Sequence, residues 1–223
     1  NEDFIIITGY TKGALPGNRR VSSFGKVDAY IAKLSLSIND KEKVIWIKQF
    51  GSNENDYPQT VTINPNDNSI IVIGKSNGSF PSNNHIGEFD AFTTKFDSKG
   101  NLLWTKQFGS KQNDYPKSVK IDKKDNSIVV VGETEGVFPS NLGYGTVDSF
   151  VVKLSAEGEV LWMKQNGKRY KYKTFVSSVE VDEEDGSIYV VGFSWLEAEE
   201  MKVEVLKLSQ EGKVEFDKKY EVN

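Results

Sequence analysis

Between Lys117 and Gln165 the apolar positions fall into four short runs with different rhythms. Lys-Ser-Val-Lys-Ile-Asp (117–122) alternates, which sets Val119 and Ile121 on one face and predicts a half-buried strand. After the turn Lys-Lys-Asp-Asn comes Ser-Ile-Val-Val-Val-Gly-Glu (127–133), a continuous β-branched run that predicts a strand covered on both faces. A long loop, 134–147, leads to a third strand, Asp-Ser-Phe-Val-Val-Lys-Leu-Ser (148–155). The tight turn Ala-Glu-Gly-Glu, with glycine where positive φ is needed, returns the chain into Val-Leu-Trp-Met-Lys-Gln (160–165). No segment keeps a useful 3.6-residue period. The nearest is Trp195 to Lys202, one or two helical turns at most.

The unit recurs. Trp46, Trp104 and Trp162 are each 58 residues apart, and Gly74 and Gly132 keep the same spacing, with Gly192 following 60 later. Lys33, Lys95, Lys153 and Lys207 mark one further shared position. This period is longer than the ~40–50 residues of common propeller repeats, so the surplus belongs in loops. Four antiparallel strands at a fixed period predict an all-β fold, a β-propeller of four-stranded antiparallel blades. With strands lettered A to D from the axis outward, the chain holds about four blades and forms a partial or open propeller. The blades span about 1–52 (lacking the innermost strand), 58–110, 116–167 and 174–223, as one propeller domain or a fragment of one. The chain opens almost inside a strand and stops before another strand A, so the expectation is a longer propeller, or a second chain or further blades along an open edge.

The motifs Asp-[Ala/Ser]-[Phe/Tyr]-x-x-Lys at Asp28, Asp90 and Asp148 and Gly-x-x-x-Trp-x-Lys-Gln ending at Gln107 and Gln165 resemble the bacterial seven-bladed β-propeller (SBBP) repeat family. The likeness covers nearly the whole chain. It implies secreted or envelope-associated bacterial proteins, usually multidomain, with no catalytic residues to carry over. The fourth copy departs from the pattern, with Lys202 in place of the aspartate and Phe216 in place of the tryptophan.

Composition narrows the function classes. The 223 residues carry a net charge of −4 with interspersed signs, so no basic footprint for nucleic acid exists. No apolar run is long enough for a membrane helix. Cysteine is absent, which excludes disulfide scaffolds and thiolate metal sites. The carboxylate-rich turns at 64–69, 122–127 and 182–187 have oxygen ligands that calcium would accept, but Asp, Asn and Gly are also what hairpin turns require, so no metal and no cofactor is assigned. The single histidine, His85, has no nucleophile elbow to serve, and the spacing Asp97–Gly100–Trp104 does not fit the sialidase Asp-box. The glycine–tryptophan spacing is similar to that of tryptophan-docked propellers, which concerns blade packing.

A residue found in every copy serves the blade. The tryptophan is expected to pack between blades and over the C–D turn, and the lysine and glutamine to snorkel or bond to a neighbouring blade. The aspartate is expected to cap the loop before strand C, and Phe80 and Phe138 to plug the scaffold. Recognition is expected instead from side chains of the long B–C and D–A loops, which share one face: the non-repeating Arg19, Arg20, His85, Tyr144, Arg169, Tyr170 and Tyr172, together with Tyr115. Aromatic, Asn/Ser-rich loops suit a glycan or protein surface. The sequence therefore reads as a non-catalytic, extracellular or cell-envelope bacterial binding scaffold. The alternatives are an assembly module completed by another chain, or a glycan-processing domain built on Glu88, Glu133 and Glu135.

Overall fold

The computed structural model describes residues 3–15, 23–37, 44–139, 141, 146–167, 172–196 and 200–221. Among these, fifteen strands and no helix are found. The first sheet holds β1 (Phe4–Thr11), β2 (Asp28–Ser35) and β3 (Val44–Phe50). The second holds β4 (Asp56–Ile63), β5 (Ile70–Ser76), β6 (Asp90–Phe96) and β7 (Leu102–Phe108). The third holds β8 (Asp114–Ile121), β9 (Ile128–Thr134), β10 (Asp148–Leu154) and β11 (Val160–Asn166). The fourth holds β12 (Tyr172–Val181), β13 (Ile188–Leu196), β14 (Lys202–Leu208) and β15 (Val214–Glu221). Every sheet is an antiparallel meander in chain order, which is the form of a propeller blade, and the first carries positions B, C and D. Consecutive sheets pack on one another, with the inner strands β4, β8 and β12 in succession, in an open array.

The turns form where the residues permit positive φ. Gly100, Gly158 and Gly212 take it in the C–D turns, while Asn68, Asn126 and Gly186 take it in the A–B turns. The strand-B glycine has a different task. A Cβ on Gly132 would stand 2.3 Å from the Tyr115 carbonyl oxygen and 2.5 Å from the Phe150 ring, so the ring of strand C can lie on the backbone only because the side chain is missing. Gly74 does the same beneath Phe92.

Between the second and third sheets Phe108, Val130, Phe138, Phe150, Val152 and Leu154 make one core, with Trp104 and Met163 packed against it. Each such aromatic contributes about 1.5–3 kcal/mol by leaving water. The tryptophans reach forward. The Trp104 ring lies against Gly158 and its Nε1 donates to Ala156 O at 3.2 Å; Trp162 lies against Gly212 and donates to Gln210 O at 3.1 Å. The turn they cover belongs to the next blade.

Several expectations are corrected. Trp195 and Leu196 end β13 and Lys202 begins β14, and 197–199 lie outside the described residues. The loops entering strand A are shorter than expected. Asp56–Tyr57–Pro58 and Asp114–Tyr115–Pro116 pair with strand B, opposite Ser76–Lys75–Gly74 and Thr134–Glu133–Gly132. The proline survives there because the register breaks next to it, leaving Gln59 and Lys117 as bulge residues. The strand-D glutamine bonds within its own blade, not to a neighbour. The strand-C lysine divides its bonds: Lys95 Nζ donates to Ala156 O of the next blade and lies 3.6 Å from Asp67 Oδ2 of its own. Lys153 Nζ sits 3.5 Å from Asp122 and 3.6 Å from Asp125, so this acidic turn is directed at a buried lysine of the same sheet.

Candidate functional site at the loop-bearing end

Two constructions share the end of the blades that carries the B–C and D–A loops. The first is a repeated corner. Asp90 accepts from Ile86 N (2.7 Å) and Gly87 N (2.9 Å), which shapes the loop leading into strand C. Gln107 Nε2 donates to Asp90 Oδ2 at 2.9 Å, while its Oε1 accepts from Phe80 N at 3.1 Å. Asp28 with Gln49 and Leu15 N, and Asp148 with Gln165 and Phe138 N, repeat the arrangement. Phe80 and Phe138 are thereby drawn into the core. A second aspartate opens strand A beside this corner. Asp114 Oδ2 accepts from Ser110 N at 2.7 Å, as Asp56 does from Ser52 N. Burial pushes the Asp114 carboxyl up to about 7; the charge of Asp90 adds to this, and the hydrogen bonds of Thr134 and Ser110 oppose it. Burial likewise raises Asp56.

The second construction is centred on a position that does not repeat. One residue beyond the strand-B glycine stand Tyr10, Lys75, Glu133 and Phe193 in successive blades. Lys75 is enclosed by rings. Its Nζ lies 4.6 Å from the Tyr115 ring centre, 4.8 Å from Phe89 and 5.9 Å from Tyr57. Tyr10 extends the aromatic wall by an edge contact with Tyr57 at 5.3 Å. Burial among these rings, with Lys117 close by, holds the Lys75 ammonium below the usual lysine range, and Glu135 acts against this. Lys117 Nζ in turn lies 3.3 Å from Glu133 Oε2. The bulge at Lys117 is what carries a cation to this point of strand A.

Amides and acids complete the patch. Asn113 Nδ2 donates to Glu88 Oε2 (3.0 Å) and Glu135 Oε2 (2.9 Å), joining the loops of two blades. Burial holds the Tyr115 phenol above its ordinary value, reinforced by the charge of Glu135 and by their hydrogen bond. His85 Nε2 lies 3.3 Å from Glu88 O, at the edge of the patch. The arrangement offers ring faces, a desolvated ammonium and paired carboxylates within one surface, which is chemistry suited to a polyhydroxylated ligand.

Of the residues expected from sequence, Tyr115 and His85 come together here, although Tyr115 stands on strand β8 and not on a loop. Arg19, Arg20, Tyr144, Arg169 and Tyr170 lie outside the described residues, and Tyr172 opens β12 with only its backbone described. Lys75, Lys117 and Asn113 were missed by sequence reasoning. For Lys75 the available signal was the variation at the position after the strand-B glycine, set against the constancy on either side of it.

Residues 45–81 match the family model of the SBBP β-propeller repeat. That stretch runs from strand D of the first blade through strands A and B of the second, so the repeat unit is out of phase with the sheet. No curated protein matches the chain. Among solved structures, "Crystal structure of the eukaryotic initiation factor" aligns over 95% of this chain and 55% of that chain, at 11% identity and a TM-score of 0.39. The chain thus spans about half the length of that structure's chain.

Proposed function

We propose that the chain is a non-catalytic binding scaffold, a β-propeller module of a bacterial surface or secreted protein that recognises a glycan at its loop-bearing end. The observation that supports this reading is the enclosure of Lys75 by Tyr57, Phe89 and Tyr115 beside the Asn113-bridged acids. Rings accept the apolar face of a sugar, and the amide, acids and ammonium take its hydroxyls. The test is a glycan array probed with the full chain and with a Lys75→Ala/Tyr115→Ala double variant. Binding that disappears in the variant supports the reading. Binding that survives it, or none at all alongside capture of a protein partner, refutes it. Turnover of a bound glycan that is lost in Glu88→Gln or Glu135→Gln would mark a glycan-processing enzyme instead.

A second reading is favoured by exposure. Strand B is buried throughout in the third blade and at every position but Lys75 in the second, whereas in the first Phe4, Ile5 and Tyr10 are exposed, and in the fourth Val191 and Trp195 are. Further blades or a second chain would cover these surfaces and make the chain an assembly module. Light scattering across a concentration series separates the two, since a monomer at high concentration excludes self-assembly.

A further inference from the structure

The junction between the first and second sheets differs from the one that follows it. Between β3 and β7 an open cleft of about 650 Å³ runs along the outer edge of the array. Its floor and walls are Phe50, Phe80, Phe96 and Leu103. At the next junction the corresponding place is occupied. Met163, on β11, packs into the core formed with Phe108 and Phe150. The residue at Met163's position in the second blade is Thr105, whose side chain reaches two atoms less far, and its hydroxyl is turned to Thr94 Oγ1 at 3.1 Å. The same strand pairing that places Val152 opposite Met163 places Thr94 opposite Thr105, so an apolar pair has been exchanged for two hydroxyls that satisfy each other.

The lining also has a sign. Among the described residues, Lys48 is the one charged side chain along the cleft, and no aspartate or glutamate lines it. Its ammonium makes no ion pair among the described residues. A concave site of this size, mostly aromatic and aliphatic with one unpaired cation, has the make-up of a small-molecule pocket.

We propose that this cleft binds small amphiphilic acids, molecules with an aliphatic or aromatic body and one anionic group. The body occupies the space left by Thr105 against Phe50, Phe80 and Phe96, and the anion pairs with Lys48. The site is separate from the Lys75 patch and does not depend on the function proposed for it.

Titration of the full chain with 8-anilinonaphthalene-1-sulfonate, followed by competition with dodecanoate, tests the assignment. A single fluorescent site is expected, displaced by dodecanoate and not by dodecyltrimethylammonium. Thr105→Met rebuilds the neighbouring junction and should abolish it, while Thr105→Val, which keeps the volume, should preserve it. Lys48→Gln should weaken dodecanoate by about fivefold, the yield of a partly exposed ion pair. Circular dichroism of each variant checks that the fold persists, and Lys48→Gln, a partly exposed change, decides the matter if Thr105→Met fails to fold. Probe binding unchanged in Thr105→Met, equal displacement by the cationic detergent, or an unchanged dodecanoate affinity in Lys48→Gln would each overturn the proposal.

Discussion

The Asp90–Gln107 corner and the Lys75 patch stand at the same end of the same blade, yet they follow opposite rules. The corner is copied. Its partners recur as Asp28–Gln49 and Asp148–Gln165, each holding the backbone of a Leu-Pro or Phe-Pro loop. The patch is copied only at its margin, where Tyr115 and Asn113 repeat Tyr57 and Asn55. Its central position runs Tyr10, Lys75, Glu133, Phe193, a ring, a cation, an acid and a ring. In a repeat scaffold, constancy marks what each blade needs for itself. A position that changes while its neighbours stay constant is free of that duty, and this is where recognition has room to develop.

The comparison can be broken at its heaviest point first. Phe150→Ala removes a fully buried ring of the copied core and should cost about 3–5 kcal/mol, read as a lower midpoint in urea unfolding. Asp90→Ala leaves Ile86 N and Gly87 N without their acceptor and Gln107 Nε2 with Gly78 O alone, and should cost about 2–3 kcal/mol, with faster hydrogen exchange across 78–90. An Asp90→Ala chain as stable as the parent would remove the corner from the structural side of the comparison.

Acid–base behaviour sharpens it further. Folded Asp114 keeps its proton up to about pH 7, against an unreacted value of 3.8, so the folded chain binds more protons than the unfolded chain between those limits. Stability from this group is complete below about pH 4 and is lost as pH rises through 7, the reverse of a salt-bridged aspartate. Urea midpoints should therefore decline from pH 5 to pH 8 by on the order of 1–2 kcal/mol, and Asp114→Asn should flatten that slope. The smallest effect belongs to the patch. Lys75→Met gives up cation–π contacts of about 0.5–1 kcal/mol while relieving a desolvated charge, so its unfolding midpoint should hardly move. A loss of several kcal/mol there would return Lys75 to the scaffold.

The blades were legible because their signals are local. The 58-residue spacing of the tryptophans, the β-branched run Ile128–Val131 and the Gly158 turn each report on a few neighbouring residues. The aspartate's role as a loop cap was legible for the same reason, since Asp90 and the amides it binds are three and four residues apart. Lys75 was not. Its enclosure joins Tyr57, Phe89 and Tyr115, brought together by pairing across two sheets, and no short-range pattern encodes it. The placement of Tyr115 on a loop failed through the proline beside it, which reads as a breaker until the bulge at Lys117 is known to accommodate it. The cleft beside Thr105 was invisible because it is defined by an atom count at a junction between blades.

The forward-reaching tryptophans give the array a direction. Trp104 and Trp162 each lend an indole to a turn some fifty residues ahead, Ala156 and Gln210, and none is lent back by that turn. The chain is thus a set of links in which each blade's outer strand is latched by its successor. Such a system is described by nearest-neighbour couplings rather than by one global energy. A force applied along the chain would meet those latches one after another, and the molecule would yield in steps of about a blade's length, like a zip and unlike a knot.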